Sequence, residues 1–200
     1  SSSTPEEPTE APTEPPTEAP TEPPTEPTTV DAFVIDGYLD GATVTWDGGE
    51  ATAENGLFQL PEGLDKELTV VGNENTIDIS TGLPFTGTLK APAGATVITP
   101  LTTLIAEGAS ESEIKSAFGI DSSVDLLSAN PLAEGSENAA LLTAGIKVAV
   151  AMSLGEALGV ENVGKTLADT LVNNGSLSND DIVEALGATG QVASALREQL

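Results

Sequence analysis

The chain has 200 residues, enough for one ordinary domain or two small ones. Its 32 acidic side chains against 6 basic ones give a formal net charge of −26, a field that repels nucleic-acid backbones and anionic membrane faces and excludes nucleic acid as a partner. It has no cysteine and no histidine, which excludes disulfides, thiolate chemistry, Cys/His zinc sites and Ser-His-Asp or Cys-His catalysis.

Residues 1–29 read "SSSTPEEPTEAPTEPPTEAPTEPPTEPTT", with P-T-E repeated and Ala or Pro between copies. Nine of the 14 prolines and seven glutamates fall here, without a base or a large apolar residue, so no core can form and disorder is expected. Proline favours polyproline II and like charges stretch it, so at ~3.1 Å per residue the segment reaches up to roughly 90 Å. We read it as an extended, semi-rigid linker whose threonines are candidate O-glycosylation sites. The chain opens on Ser rather than Met, so removal of an upstream signal peptide, lipid-anchor segment or tag is expected.

Residues 30–98 change character. "DAFVIDG", "GATVTWDG", "EATAENGLFQLPEG", "ELTVVG", "NTIDIS", "FTGTLKAP" and "ATVITP" are short β-branched and aromatic runs between Gly, Asp and Asn turns. Many short strands spaced by turn signals predict an antiparallel β-sandwich. The expected core is Phe33, Ile35, Val44, Trp46, Leu57, Leu60, Leu68, Val70, Ile77 and Ile79; pairs two apart, such as Phe33 and Ile35, share one sheet face.

Residues 99–200 switch to a helical period. "TPLTTLIAEG" predicts Thr99 as N-cap, Pro100 at the first helical position and Gly108 as the stop. "SESEIKSAFG" predicts a capping box of Ser110 and Glu113 and an end at Gly119. "SVDLLSANP" reads as a short helical turn stopped by Asn130-Pro131. From Ser136 to Gly159 a long helix is expected, with Leu142, Ile146, Val150 and Leu154 in one stripe and small residues elsewhere. A membrane span needs ~20 largely uncharged residues; Lys147 interrupts this run and Glu156 closes it, so a buried core helix is expected and no span. "VENVGKTLADTLVNNG" and "SNDDIVEALGATGQVASALREQL" complete the helical unit, with Ser178 as a cap.

Gly41-Ala42-x-Val44, a polar hairpin, Asn55-Gly56-x-Phe58 and Leu60-Pro61 follow one another within "FVIDGYLDGATVTWDGGEATAENGLFQLPEGLDKELTVVG". This pattern resembles carboxypeptidase-regulatory-like (transthyretin-like) modules of bacterial extracellular and lipoprotein-anchored proteins. The continuation "GTLKAPAGATVITPLTTLIAEG" resembles the strand-to-helix passage after such modules in bacterial surface proteins. The resemblance covers roughly 80 residues and implies an extracellular or cell-surface location. In related surface repeats the first hairpin carries a longer Asp/Asn-rich loop that looks calcium-binding. Here it is "DGGEATAENG", where Asp47, Glu50 and Glu54 remain and the D-x-N-x-D-G ladder is absent.

Other strings touch on chemistry. "GVENVGKT" at 159–166 fits the phosphate-loop pattern G-x-x-x-x-G-K-[ST]. A working loop follows a buried strand, whereas "AVAMSLGEALG" reads as helix and Glu161 opposes a phosphate, so the string is expected to be a turn between helices. "SEIK" at 112–115 fits S-x-x-K without the accompanying S-D-N and K-T-G elements, and Ser112 falls in a capped first turn. "LVNNGSLSNDDIVEAL" is similar to a helix–loop–helix calcium hand with Gly175 at the sharp turn and Asp181 as last ligand, but Thr170 and Val172 stand where the first carboxylates belong. Asp36, Asp40, Asp47 and Glu50 cluster near one expected sheet end; they are candidate ligands for Ca2+, against a solvated acidic rim as the alternative.

The reading is α+β: a disordered Pro-rich tail (1–29), an antiparallel transthyretin/Ig-like β-sandwich (30–98) and an α-helical unit (99–200). No catalytic or cofactor-binding residues are assigned. The expected function is a non-catalytic structural or adhesion module, displayed on a stalk at the bacterial cell surface. Its partners would be cell-surface or extracellular-matrix components, with an upstream lipid anchor. The alternatives are a self-associating subunit of an extracellular fibre, docked by tail or edge strand, and a calcium-dependent carbohydrate-binding module with Trp46 and Tyr38 as stacking platforms.

Overall fold

The computed structural model describes residues 28–133 and 139–200, with 3–4 and 15–16 of the N-terminal segment. Most of the expected linker, and the helix start at Ser136, lie outside the described residues.

Ten strands come first in the chain: β1 (Thr29–Val34), β2 (Leu39–Asp40), β3 (Thr43–Trp46), β4 (Gly49–Thr52), β5 (Leu57–Pro61), β6 (Leu68–Val71), β7 (Ile77–Asp78), β8 (Leu83–Pro84), β9 (Thr88–Ala91) and β10 (Val97–Ile98). They form three small sheets, ordered β10-β1-β5, β2-β7-β8 and β4-β3-β6-β9. All pairs are antiparallel except β1 with β10, which is parallel. Asn55-Gly56 makes the expected tight turn: both residues have positive φ, 51° and 83°, and Glu54 and Leu57 exchange backbone hydrogen bonds across it.

One core takes side chains from all three sheets: Ala32 and Val34 of β1, Phe58 and Leu60 of β5, Leu39 of β2, and Val44, Leu68, Val70, Leu89 and Ala91 from the four-stranded sheet. The inward face is set one residue away from part of the expectation. Ala32 and Val34 point in while Phe33 is half-buried, and Phe58 points in while Leu57 is 38% exposed. A shift of one residue along a strand exchanges its two faces, and the Asn55-Gly56 turn starts β5 on the outward phase. Trp46 and Ile77 are half-buried, and Ile79 lies beyond the two-residue β7 and is exposed.

Six helices follow: α1 (Pro100–Ala106), α2 (Glu111–Phe118), α3 (Ala139–Ala157), α4 (Val163–Asn174), α5 (Asn179–Ala185) and α6 (Gly190–Gln199). The predicted caps Thr99, Ser110 and Ser178 each accept the backbone N–H three residues on. Residues 123–131, expected to be a short helical turn stopped by Asn130-Pro131, are a run of turns in which the Ala129 N–H donates to the Asp125 carbonyl at 2.8 Å. Asp121 accepts from the N–H and hydroxyl of Ser123, and Asp125 from the N–H of Leu127 and hydroxyl of Ser128. Such side-chain acceptors offer the backbone an alternative to helix.

The buried side of α3 is Leu141, Ala144, Val148, Ala151, Met152 and Gly155. The expected stripe lies beside it, and its Ile146 is 56% exposed. Small residues face the neighbours because those neighbours come close: a Cβ on Gly155 would meet Val163, and Leu186 at 2.9 Å. This helix is long and apolar enough by composition to cross a membrane; in this structure α3 packs against α1, α2 and α4.

Helix α1 joins the two halves. The Thr102 hydroxyl donates to the Lys90 carbonyl at 2.8 Å, and the Lys90 N–H donates to the Thr103 hydroxyl at 2.9 Å. Lys90 Nζ meets Glu107 Oε1 at 2.6 Å, so strand β9 is tied to α1 along both backbone and side chain. The opposite side of α1 contributes Leu101 and Leu104 to a helical core with Ile114, Val148, Leu167 and Ile182.

Candidate functional site

The four candidate ligands stand in different settings. Asp40 accepts the Asn55 backbone N–H at 2.9 Å and so supports the tight turn. Asp47, at the tip between β3 and β4, lies 4.0 Å from Lys66, with both side chains open to solvent. Glu50 lies on exposed β4 opposite Thr45. Asp36 stands in the turn after β1 and lines two adjoining cavities between sheets and helices. Among the described residues no group of three or more Asp or Glu is placed to hold a metal ion, so the four form no shared ligand set there.

The first cavity is apolar, about 40 Å³, with Ile35, Pro100, Leu141 and Ile146 among its walls. The second, about 130 Å³, is polar: Asp36 and Glu156 line it together with Thr86, Thr88 and Ser153. Burial and the nearby carboxylates of Asp78 and Glu156 push the Asp36 carboxyl up to about 6, and burial also raises Glu156. A third cavity, of about 280 Å³, shares Thr88 and Glu156 and contains Lys90 and Glu107, whose contact raises the Lys90 ammonium. Neither Asp78 nor Glu156 is connected with Asp36 by the sequence, because nothing local to either points to it.

The motif strings fall in ordinary helical surroundings. "GVENVGKT" links α3 to α4; Gly159 and Asn162 take left-handed conformations at φ 79° and 48°, and Lys165 pairs with Asp169. Gly164 is buried against Thr103, where a Cβ would come within 3.1 Å of its methyl group. Ser112 lies 3.2 Å from the capping Ser110 hydroxyl. Asp181 caps α5: its carboxylate accepts from Asn174, the Ser176 hydroxyl, and the N–H and hydroxyl of Ser178. Hydrogen bonds from Ser176 and Ser178 hold it down to about 2. Of the two stacking candidates, Trp46 lies against Gly49, and Tyr38 accepts a hydrogen bond from Asn130 at 3.0 Å beside the Phe33 ring.

Comparison with protein-family models, with curated proteins and with solved structures finds no match to this chain.

Proposed function

We propose that the protein is a non-catalytic structural or adhesion module, displayed at the bacterial cell surface on its Pro/Thr/Glu stalk. In this reading the sheets are a β-sandwich of carboxypeptidase-regulatory-like type, consistent with one core that takes side chains from all three, Leu39 of β2 included. The observation that carries the proposal is the way the stalk enters the body. The repetitive segment leads directly into β1, the central strand of its sheet, where the Thr28 carbonyl accepts from Glu62 and the Thr29 hydroxyl donates to Gln59. Through β10 and β9 that strand is tied to α1 and hence to the helical core, so one stiff body follows the stalk.

Antibodies against residues 28–200 test this reading on intact cells of the source organism. Labelling before permeabilisation is expected; labelling that appears only after permeabilisation overturns surface display. A fibre subunit is the second reading. It is favoured by the exposed apolar side chains of Leu83, 64% exposed, and Ile79 at one margin of the small sheets. Electron microscopy of purified protein separates the two, since uniform single particles count against the fibre.

A further inference from the structure

Three carboxylates from three elements meet at the seam between sheets and helices. Asp36 stands after β1, Asp78 in β7 and Glu156 near the end of α3. Asp36 and Glu156 line the cavity of about 130 Å³, whose other walls, residues 84–89, Pro100 and residues 149–153 of α3, carry no titratable side chain. Asp78 sits beneath Gly37, where an added Cβ would collide with its carboxylate, and accepts from the Ser80 N–H and hydroxyl. Lys90 lines the neighbouring cavity with Glu156, but its ammonium is held by Glu107 at 2.6 Å. Among the described residues no cationic group lies within ion-pair distance of Asp36, Asp78 or Glu156.

We propose that this cluster is an acid-operated latch: with Asp36 neutral the sheets close onto α3, and with Asp36 ionised the burial of its charge, and then its repulsion by Asp78 and Glu156, loosens the seam. An ionised Asp36 here has lost much of its water and gained no cation in return. Opening the seam returns it to water and to its ordinary value of 3.8, against about 6 when closed. The closed state therefore binds the proton more tightly. The stabilisation from that proton is complete below the ordinary value and is lost as pH rises through about 6. A gap of about two units changes the opening equilibrium roughly a hundredfold in all, and about tenfold of that falls between about pH 5 and 7.5.

Amide hydrogen exchange on the full chain reads this opening, with each rate divided by the intrinsic rate at the same pH. Residues 149–156 of α3 are expected to be about tenfold more protected at about pH 5 than at 7.5. Asp36→Asn keeps the shape without the charge and is expected to be equally protected at both pH values, and about tenfold more than the wild type at about pH 5, although every other carboxylate still titrates. Equal wild-type protection at the two pH values overturns the latch, and so does an Asp36→Asn chain that retains the wild-type response. If that variant does not fold, Asp36→Ser serves instead: it also removes the titrating charge, and a chain that retains the wild-type response overturns the proposal.

Discussion

Asp181 shows how much a single side chain can organise. Its carboxylate draws in Asn174, Ser176 and Ser178 from the connection between α4 and α5, while the Ser178 hydroxyl accepts the Asp181 N–H in return. A carboxyl held down to about 2 supports the fold above its ordinary value of 3.8 and loses that support as pH falls through about 2. The start of α5 is therefore expected to fray between about pH 4 and 2, which NMR shifts of the Leu177 and Asp181 amides would follow. At neutral pH, Ser178→Ala is expected to cost ~1 kcal/mol by urea denaturation. This cap is legible in the sequence because its partners lie within a few residues of one another. The surroundings of Asp36 are not, because Asp78 reaches it only through the pairing of β2 with β7 and Glu156 only through the packing of α3.

At the scale of elements, helix α3 separates what periodicity reveals from what packing decides. Its C-terminal end is legible from the apolar run up to Gly159. Its buried side is not, because apolar and small residues surround the whole helix and the stripe of large ones at Leu142, Ile146, Val150 and Leu154 is not the face its neighbours select. Close neighbours then select Ala144, Ala151 and Gly155, which the larger side chains would hold apart. Leu141→Ala, at a site 3% exposed, is expected to cost ~2–5 kcal/mol, while Ile146→Ala is expected to stay within ~0.5–1 kcal/mol. Paired urea titrations compare the two, and similar costs would contradict the observed face. Strand β5 teaches the same lesson: its hairpin turn is readable from Asn55-Gly56, yet the turn, and not the apolar letters, puts Phe58 inside and Leu57 outside.

For the whole molecule, charge and connectivity matter together. Five of the six bases lie within 4.0 Å of a carboxylate, yet the net charge is −26, so these pairs relieve little of the general repulsion. Lys90 is the base in the joint: it binds β9 to α1 through Glu107, Thr102 and Thr103. The parallel pairing of β1 with β10 matters in another way, since β1 receives the N-terminal segment and β10 runs straight into α1. A pull between the two ends of the chain draws these strands past each other along their length. The bonds from Phe33 to Thr96 at 3.0 Å and from Ile35 to Ile98 at 2.8 Å then bear the load in shear, side by side, and must break together. The helices have no such shear pairing and are expected to come apart first at low force. Residues 28–98 should then release in one step at higher force, lengthening the chain by roughly 240 Å, as optical tweezers would record. A β-unit yielding before the helices would contradict this. A chain built this way is expected to meet tension with its shear-loaded strand pair, β1 with β10, at the point where the N-terminal segment joins.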